Sequence, residues 1–348
     1  MVPPILGEQQ FFWSQEPVMA YEAERRVAVE TVLKACRLCQ AIRAALVSEE
    51  TVAKEDKSPV TVADFGAQAV INLDLLKAFP DDPIAAEEDA AFLRTPGGGG
   101  LKTRVAHHVT AIMPGLTDEQ ILGAIDRGTW GGGPTGRQWA LDPIDGTTGF
   151  IRGDQYAVAL ALIHDGEVVL GVLGCPNLPV DLSHPNGPRG CLFIALKGQG
   201  ATMRRVDTPS EQPIRVAEIA DPKVASFCES FEGTHSSHSR AARIAAILGV
   251  VAPPLRVDSQ SKYAILARGD ASIYLRLPTQ VDYDEKIWDH AAGSILVKEA
   301  GGEVSDIRGQ PLDFSLGRKL YQNIGIVATN GKLHPQVIGA VQQALESD

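Results

Sequence analysis

The sequence predicts an α+β N-terminal domain followed by an α/β C-terminal domain. Three observations carry this. The chain has 348 residues, more than one ordinary core holds. Its first half combines amphipathic helices with strand runs joined as hairpins, of which "YAVALALI-HDG-EVVLGVLGC" is the strongest, with Asp-Gly at the turn. From about Asp221 onward strands alternate with helices, the pattern of an α/β sheet. The division expected is a tail over 1–17, an α+β domain over 18–220 with an inserted segment at 92–137, and an α/β domain over 221–348.

The elements follow in order. Met19 to Val47 keeps a helical apolar period with charges opposite. "KSPVTVAD" reads as a short extended lead-in, and "FGAQAVINLDLLKAF" as a second amphipathic helix stopped by Pro80. "DDPIAAEED" is a short strand ending in acids. Residues 92–137 read as an irregular surface segment: "PGGGG" and "GGGPTG" flank one helical piece, "LTDEQILGAIDRG". After the hairpin, a Pro- and Asn-rich loop leads to the strand "CLFIALKG". The second half then offers the strands "ASFCESF", "LRVDS", "ASIYLRL" and "GIVATN". Between and after them come helices over "SSHSRAARIAAILG", "QSKYAILARG" and "WDHAAGSILVKEAGG", and one at the C-terminus.

Composition excludes several function classes. With 44% hydrophobic and 22% charged residues the chain is an ordinary globular protein. A formal net charge of −11, without a Lys/Arg stripe, argues against nucleic acid as a partner. No apolar run reaches the roughly 18 residues of a membrane helix, so no membrane partner is expected. Five cysteines spread over this length are not a disulfide scaffold. The N-terminus has neither a secretory signal nor the Arg- and Ser-rich character of a transit peptide. The expectation is a mature chloroplast or mitochondrial chain whose transit peptide has been removed, with the cytoplasm as the alternative.

The chemistry-bearing signals are carboxylates. No phosphate-binding loop, dinucleotide fingerprint or HExxH is present. In "WALDPIDGTTGF", Asp142 and Asp145 flank Pro143 at the end of a strand-like run. Glu87 and Glu88 end another, and Asp289 opens the helix expected at 289–300. Oxygen donors of this kind suit a hard cation such as Mg²⁺. Singly, each has an ordinary alternative: a turn for Asp142 and Asp145, a helix cap for Asp64 and Asp289, a solvated strand end for Glu87 and Glu88.

Together, "EED", "DPIDGTTGF" and "IWDHAAG" resemble the signature of the lithium-sensitive, magnesium-dependent phosphomonoesterase superfamily that includes inositol monophosphatase and fructose-1,6-bisphosphatase. "KSPVTVADFGAQAVI", "GDQYAVALAL", "GVLGCPNLP", "SFEGTHSSHS", "VDSQSKY" and "YLRLP" are similar, in order, to its plant-type eukaryotic 3′(2′),5′-bisphosphate nucleotidases, over nearly the whole chain from Met19. The resemblance implies a layered α-β-α-β-α sandwich with the site in the cleft between the domains. It implies that Glu87, Asp142 and the Ile144 carbonyl hold one Mg²⁺, and Asp142, Asp145 and Asp289 a second. Family members also carry a third, weakly held ion near Glu87. Asp64 and Thr147 would be catalytic, positioning and deprotonating the attacking water. Thr147, His235, Ser259, Lys262, Arg276 and Asp289 would contact a small-molecule nucleotide bisphosphate, Lys262 and Arg276 anchoring the phosphate that is not cleaved.

The implied reaction releases the 3′-phosphate of adenosine 3′,5′-bisphosphate, leaving AMP, with 3′-phosphoadenylyl sulfate as a second substrate and Li⁺ as an inhibitor. Two rivals stand beside it: an inositol polyphosphate 1-phosphatase and a non-catalytic nucleotide sensor. One departure from the pattern is Thr148, where "DGTKGF" would have Lys. Cys175, ending one expected strand, and Cys191, beginning the next, would meet if the strands pair. They are then either a reversible disulfide or two small buried residues.

Overall fold

The computed structural model describes residues 20–45, 51–53, 59–231, 238–278 and 284–346. Helix α1 (Glu22–Ala44) follows from the spacing of Ala28, Val32, Ala35, Cys39 and Ile42, which recur every three or four residues and are all buried. Strands β1 (Thr51–Ala53) and β2 (Pro59–Thr61) pair antiparallel. Helix α2 (Val62–Ala78) is buried on every side over its first three turns, so it lies inside a layer rather than on a surface. A reciprocal cap starts it: the Thr61 hydroxyl accepts from the Asp64 amide, and the Asp64 carboxylate accepts from the Thr61 amide at 2.9 Å.

Strand β3 (Ile84–Ala86) is followed by α3 (Gly99–Ile112) and α4 (Asp118–Asp126). Here the structure corrects the irregular segment expected at 92–137. Two short 3₁₀ turns run through "FLR" and "PGG" into α3, and Leu101, Val105 and Val109 join the core. The glycines that suggest a loop permit a close approach: a Cβ on Gly98 would lie 2.1 Å from the Phe92 carbonyl oxygen.

Strand β4 (Arg137–Asp145) leads to a short helix, α5 (Thr147–Arg152), which the sequence reading does not anticipate. Strands β5 (Ala157–His164) and β6 (Glu167–Pro179) form the expected hairpin. Asp165 and Gly166 both have positive φ, 51° and 77°, as a two-residue turn matching strand twist requires. Strands β7 (Arg189–Leu196), β8 (Gly200–Arg205) and β9 (Gln212–Ile214) complete a sheet of order β3-β4-β5-β6-β7-β8-β9, antiparallel except at β3/β4.

The second half contains β10 (Phe227–Glu229), α6 (His238–Leu248), β11 (Leu255–Arg256), α7 (Ser261–Ala267) and β12 (Ile273–Arg276). It continues with α8 (Ala291–Glu299), β13 (Glu303–Ser305), β14 (Ile326–Thr329) and α9 (His334–Leu345). Its sheet has the order β11-β10-β12-β14-β13 and is mixed.

Strand alternation shows how the layers stack. On β5, Val158, Leu160 and Leu162 face the core shared with α1 and α2, while Ala157, Ala159, Ala161 and Ile163 face the core shared with α7 and α8. In the second sheet, Cys228, Tyr274 and Ala328 face that same α7–α8 core. Phe227, Ile273, Leu275 and Val327 pack instead on α6 and α9. The order is therefore helices, sheet, helices, sheet, helices, as the resemblance implies. No helix among the described residues is long and apolar enough to cross a membrane.

Candidate active site

The site begins with an irregularity in β4. Asp142 pairs with Ala159 and Asp145 with Ala157, so three steps on β4 match two on β5. In a regular strand residues three apart point to opposite faces, but the extra residue resets the alternation. Directly opposed residues share a face, and Ala157 and Ala159 both face α7 and α8. Asp142 and Asp145 therefore both aim toward the second sheet. The chain turns at Gly146, φ 87°, where a Cβ would lie 2.9 Å from Ser259 Cβ. That approach lets the Gln260 amide donate to Asp145 at 2.5 Å.

Thr147 opens α5, with its hydroxyl 3.3 Å from Asp64 Oδ1 and 3.2 Å from the Ile144 carbonyl. Its single proton goes to one of them at a time. The other Asp64 oxygen accepts from the Thr61 amide and hydroxyl. Asp64 is thus a helix cap and a site residue at once. Glu87 follows β3, its amide bonded to the Leu141 carbonyl at 3.2 Å. Gln68, which the sequence reading misses, clamps the next residue: its amide accepts from Glu88 N at 3.0 Å and donates to Glu88 O at 2.6 Å.

From the second sheet, Asp289 closes a 3₁₀ turn (Ile287–Asp289) rather than opening α8, which starts at Ala291. Instead of capping a helix, its carboxylate accepts from Arg276 Nη2 at 3.2 Å. Arg276 ends β12, the middle strand of its sheet, and its Nε also meets Glu285 at 2.8 Å. Glu285 accepts from His290 at 3.0 Å, and His290 Nδ1 lies 2.8 Å from the Tyr263 hydroxyl. Glu285, His290 and Tyr263 are further residues the sequence reading leaves out, although "EKIWDHAAG" contains two of them. Glu285, Asp289 and His290 are close enough to share an ion, but Arg276 already binds both carboxylates.

Lys262 is buried in the first turn of α7. It donates to Ser230 at 2.9 Å and sits 5.4 Å from the Tyr274 ring centre. Ser259, just before, holds a left-handed φ of 64°, which a non-glycine residue adopts only under local constraint. His235 lies outside the described residues.

Electrostatics separates the two groups. Burial pushes the Asp142 carboxyl well above its usual range, and Glu87, Asp145, Asp289 and Asp64 push it further. Burial and Asp289 raise Asp145 to about 6, against the pull of Lys262 and Arg276. Asp289 is also raised by burial, though Arg276 and His290 counter it. Burial would raise Glu285 as well, but Arg276 and His290 hold it down at about 2. Glu87, Asp142, Asp145 and Asp289, which disfavour one another's charge, and the backbone carbonyl of buried Ile144 form an all-oxygen donor set. Such a set fits a hard divalent cation.

A family model described as the inositol monophosphatase family matches residues 15–346. The chain belongs to the inositol monophosphatase family. It is 47% identical over 349 residues to the rice protein named 3′(2′),5′-bisphosphate nucleotidase, covering 96% of this chain and 97% of that one. A protein of the same name from Schizosaccharomyces pombe is 42% identical, over 95% and 98% of the two chains. 3′(2′),5′-bisphosphate nucleotidase 1 of Arabidopsis thaliana is 48% identical, over 94% and 98%. Among solved structures, the SuhB protein of Bartonella henselae superposes with a TM-score of 0.64 at 21% identity, over 92% and 98%. The inositol monophosphatase of Thermotoga maritima gives 0.63 at 22%, also over 92% and 98%. These two show the fold.

In this inositol monophosphatase family member, Thr148 stands exposed on α5, and nothing in the structure explains its replacing lysine. Cys175 and Cys191 are register partners across β6 and β7, as the pairing of those strands requires. Cys175 lies within β6 rather than at its end, because the strand continues to Pro179. Both are buried free cysteines, like Cys36, Cys39 and Cys228.

Proposed function

We propose that the protein is a Mg²⁺-dependent phosphomonoesterase that removes the 3′-phosphate of adenosine 3′,5′-bisphosphate, giving AMP and phosphate. The observation that carries this reading is the pairing of an acidic cluster with two held cations. Asp142, Asp145, Glu87 and Asp289 converge from both sheets, with Lys262 and Arg276 beside Asp145. A substrate with one phosphate needs no second anchor, whereas a bisphosphate does. The names of the rice, fission yeast and Arabidopsis relatives support the same substrate.

Glu87, Asp142 and the Ile144 carbonyl would hold one Mg²⁺, and Asp142, Asp145 and Asp289 a second. Mg²⁺ held by these residues would supply Lewis acidity for activating a water and for stabilising charge on the leaving oxygen. Thr147 donates to Asp64, which turns the hydroxyl lone pairs toward the incoming water. Asp64 is the proton acceptor at the end of that pair. Lys262 and Arg276 fix the phosphate that stays. Ser259 and Gln260 form the wall that meets Asp145. A pure nucleotide sensor has no need of the Thr147–Asp64 pair.

The test is phosphate release from adenosine 3′,5′-bisphosphate, inositol 1,4-bisphosphate and inositol 1-phosphate, with Mg²⁺ and with or without Li⁺. The nucleotide is expected to be the best substrate and Li⁺ to inhibit. A higher kcat/KM on either inositol phosphate overturns the substrate reading.

A further inference from the structure

The two halves of the acidic cluster sit on separate segments, Glu87 after β3 and Asp289 before α8. Mutual repulsion between carboxylates drives such segments apart unless something ties them. One residue outside the site touches both. Arg318 Nη1 donates to the carbonyls of Gly128 and Trp130, each at 2.9 Å, and its Nη2 donates to the carbonyl of Ala86. Its guanidinium also stacks on the Trp288 ring, 4.5 Å from the ring centre.

The Ala86 contact fixes one peptide plane. The Ala86 carbonyl and the Glu87 amide belong to the same rigid unit. Arg318 holds the oxygen of that unit, and the Leu141 carbonyl accepts from its nitrogen. The backbone from which Glu87 projects is thereby clamped on both sides. On the other segment, Trp288 directly precedes Asp289, and the Ile287 amide donates to the carbonyl of Arg318 itself at 3.1 Å. The next residues continue the link: Lys319 bridges Lys286, and the Leu320 amide donates to the Glu285 carbonyl at 2.9 Å. The approach is tight beside it, since a Cβ on Gly132 would lie 2.5 Å from Gly317 Cα.

We propose that Arg318 is a positioning residue that sets the separation of Glu87 from Asp289 and so pre-forms the cation site. A guanidinium suits this task better than an ammonium. Its planar fork reaches several carbonyls in fixed directions while its face lies on an indole. The inference rests on the metal-binding reading above and extends it to a residue that touches neither metal nor substrate.

The test is calorimetric titration of Mg²⁺ into metal-free protein, with thermal melting in parallel, for the native chain, Arg318→Met and Arg318→Lys. Removing groups that orient metal ligands weakens binding by about 10–100-fold, and Arg318→Met is expected in that range. Arg318→Lys keeps the charge and loses the fork, so it too should bind Mg²⁺ more weakly. A residue that merely stabilises the fold would lower the melting temperature and leave the Mg²⁺ affinity of the folded protein unchanged. Native affinity in a folded Arg318→Met protein overturns the proposal. If that variant does not fold, native affinity in Arg318→Lys does the same. Failure of the native chain to bind Mg²⁺ would instead defeat the metal reading itself.

Discussion

The two walls of the site are both acidic, but they treat their charge in opposite ways. On the wall built from the seven-stranded sheet, Asp142 has Glu87, Asp145 and Asp64 as neighbours, and its carboxyl is driven up. On the wall built from the five-stranded sheet, Glu285 is enclosed by Arg276 and His290, and its carboxyl is driven down to about 2. The first wall stores repulsion that an added cation or a bound proton relieves. The second is neutralised by the chain itself, with Arg276 carrying the contact on to Asp289. Burial is common to both, so the partners decide the sign.

Function should expose this difference most strongly. Asp145→Ala is expected to lower kcat by at least about a thousandfold, a share of what metal-assisted catalysis supplies. It should leave the protein folded, because Asp145 faces the cation site rather than the apolar core. Turnover near the native level in that variant would remove Asp145 from the metal set.

Stability should move oppositely on the two walls. Glu285→Gln strips a buried cation of its carboxylate, and breaking such a pair costs about 3–5 kcal/mol. Asp142→Asn, measured in the absence of metal, should stabilise the fold by relieving repulsion. Denaturant unfolding of both variants in chelator compares them directly. Destabilisation of similar size in both would mean that the two walls do not differ in how they hold their charge.

A smaller effect should appear with pH. A carboxyl raised from 3.8 to about 6, as Asp145 is, favours the fold when protonated. That contribution is complete below about pH 3.8 and lost as pH rises through 6. Glu285, lowered from 4.5 to about 2, contributes above pH 4.5 and loses that contribution only as pH falls toward 2. Metal-free protein should therefore melt higher at pH 5 than at pH 7, and Mg²⁺ should remove most of that gap. A flat profile between these pH values would contradict the Asp145 assignment.

The smallest expected effect is at the thiols. Burial raises Cys175 and Cys191, and the reactive form is the thiolate. Thiol titration of the native fold should find them slow to react, and mild oxidation should leave Mg²⁺-dependent turnover unchanged in the native chain and in Cys191→Ser alike. Protection of activity by that substitution would instead establish the disulfide reading.

Much of this site is legible in the sequence because its residues are few and come in short runs. Asp142, Asp145 and Thr147 share one segment, and the Asp165–Gly166 turn announces the β5–β6 hairpin, whose first strand pairs with the strand that ends in the two aspartates. Residues whose role depends on long-range contacts are not legible. Gln68 looks like any helical glutamine until Glu88 closes on it. Glu285 looks like a surface acid until Arg276 and His290 enclose it. Helix α3 is missed because a glycine run marks both a loop and a close backbone crossing, and only packing tells them apart. Lys262 and Arg276 have no local mark that separates them from surface cations, for a related reason. One is buried under Tyr274, and the other ends a central strand rather than an edge one.

The extra residue in β4 has one more consequence. A plain Asp-x-Asp run would also place two aspartates on one face, with no irregularity at all. What the longer Asp-Pro-Ile-Asp spacing adds is a link of main chain left out of the ladder. Ile144 has no register partner on β5; its amide donates back to the Asp142 carboxylate, and its carbonyl accepts from the Thr147 hydroxyl. The frame shift thus lends the site an uncharged oxygen that no side-chain substitution can delete. A cluster already crowded with anions gains a ligand without gaining charge.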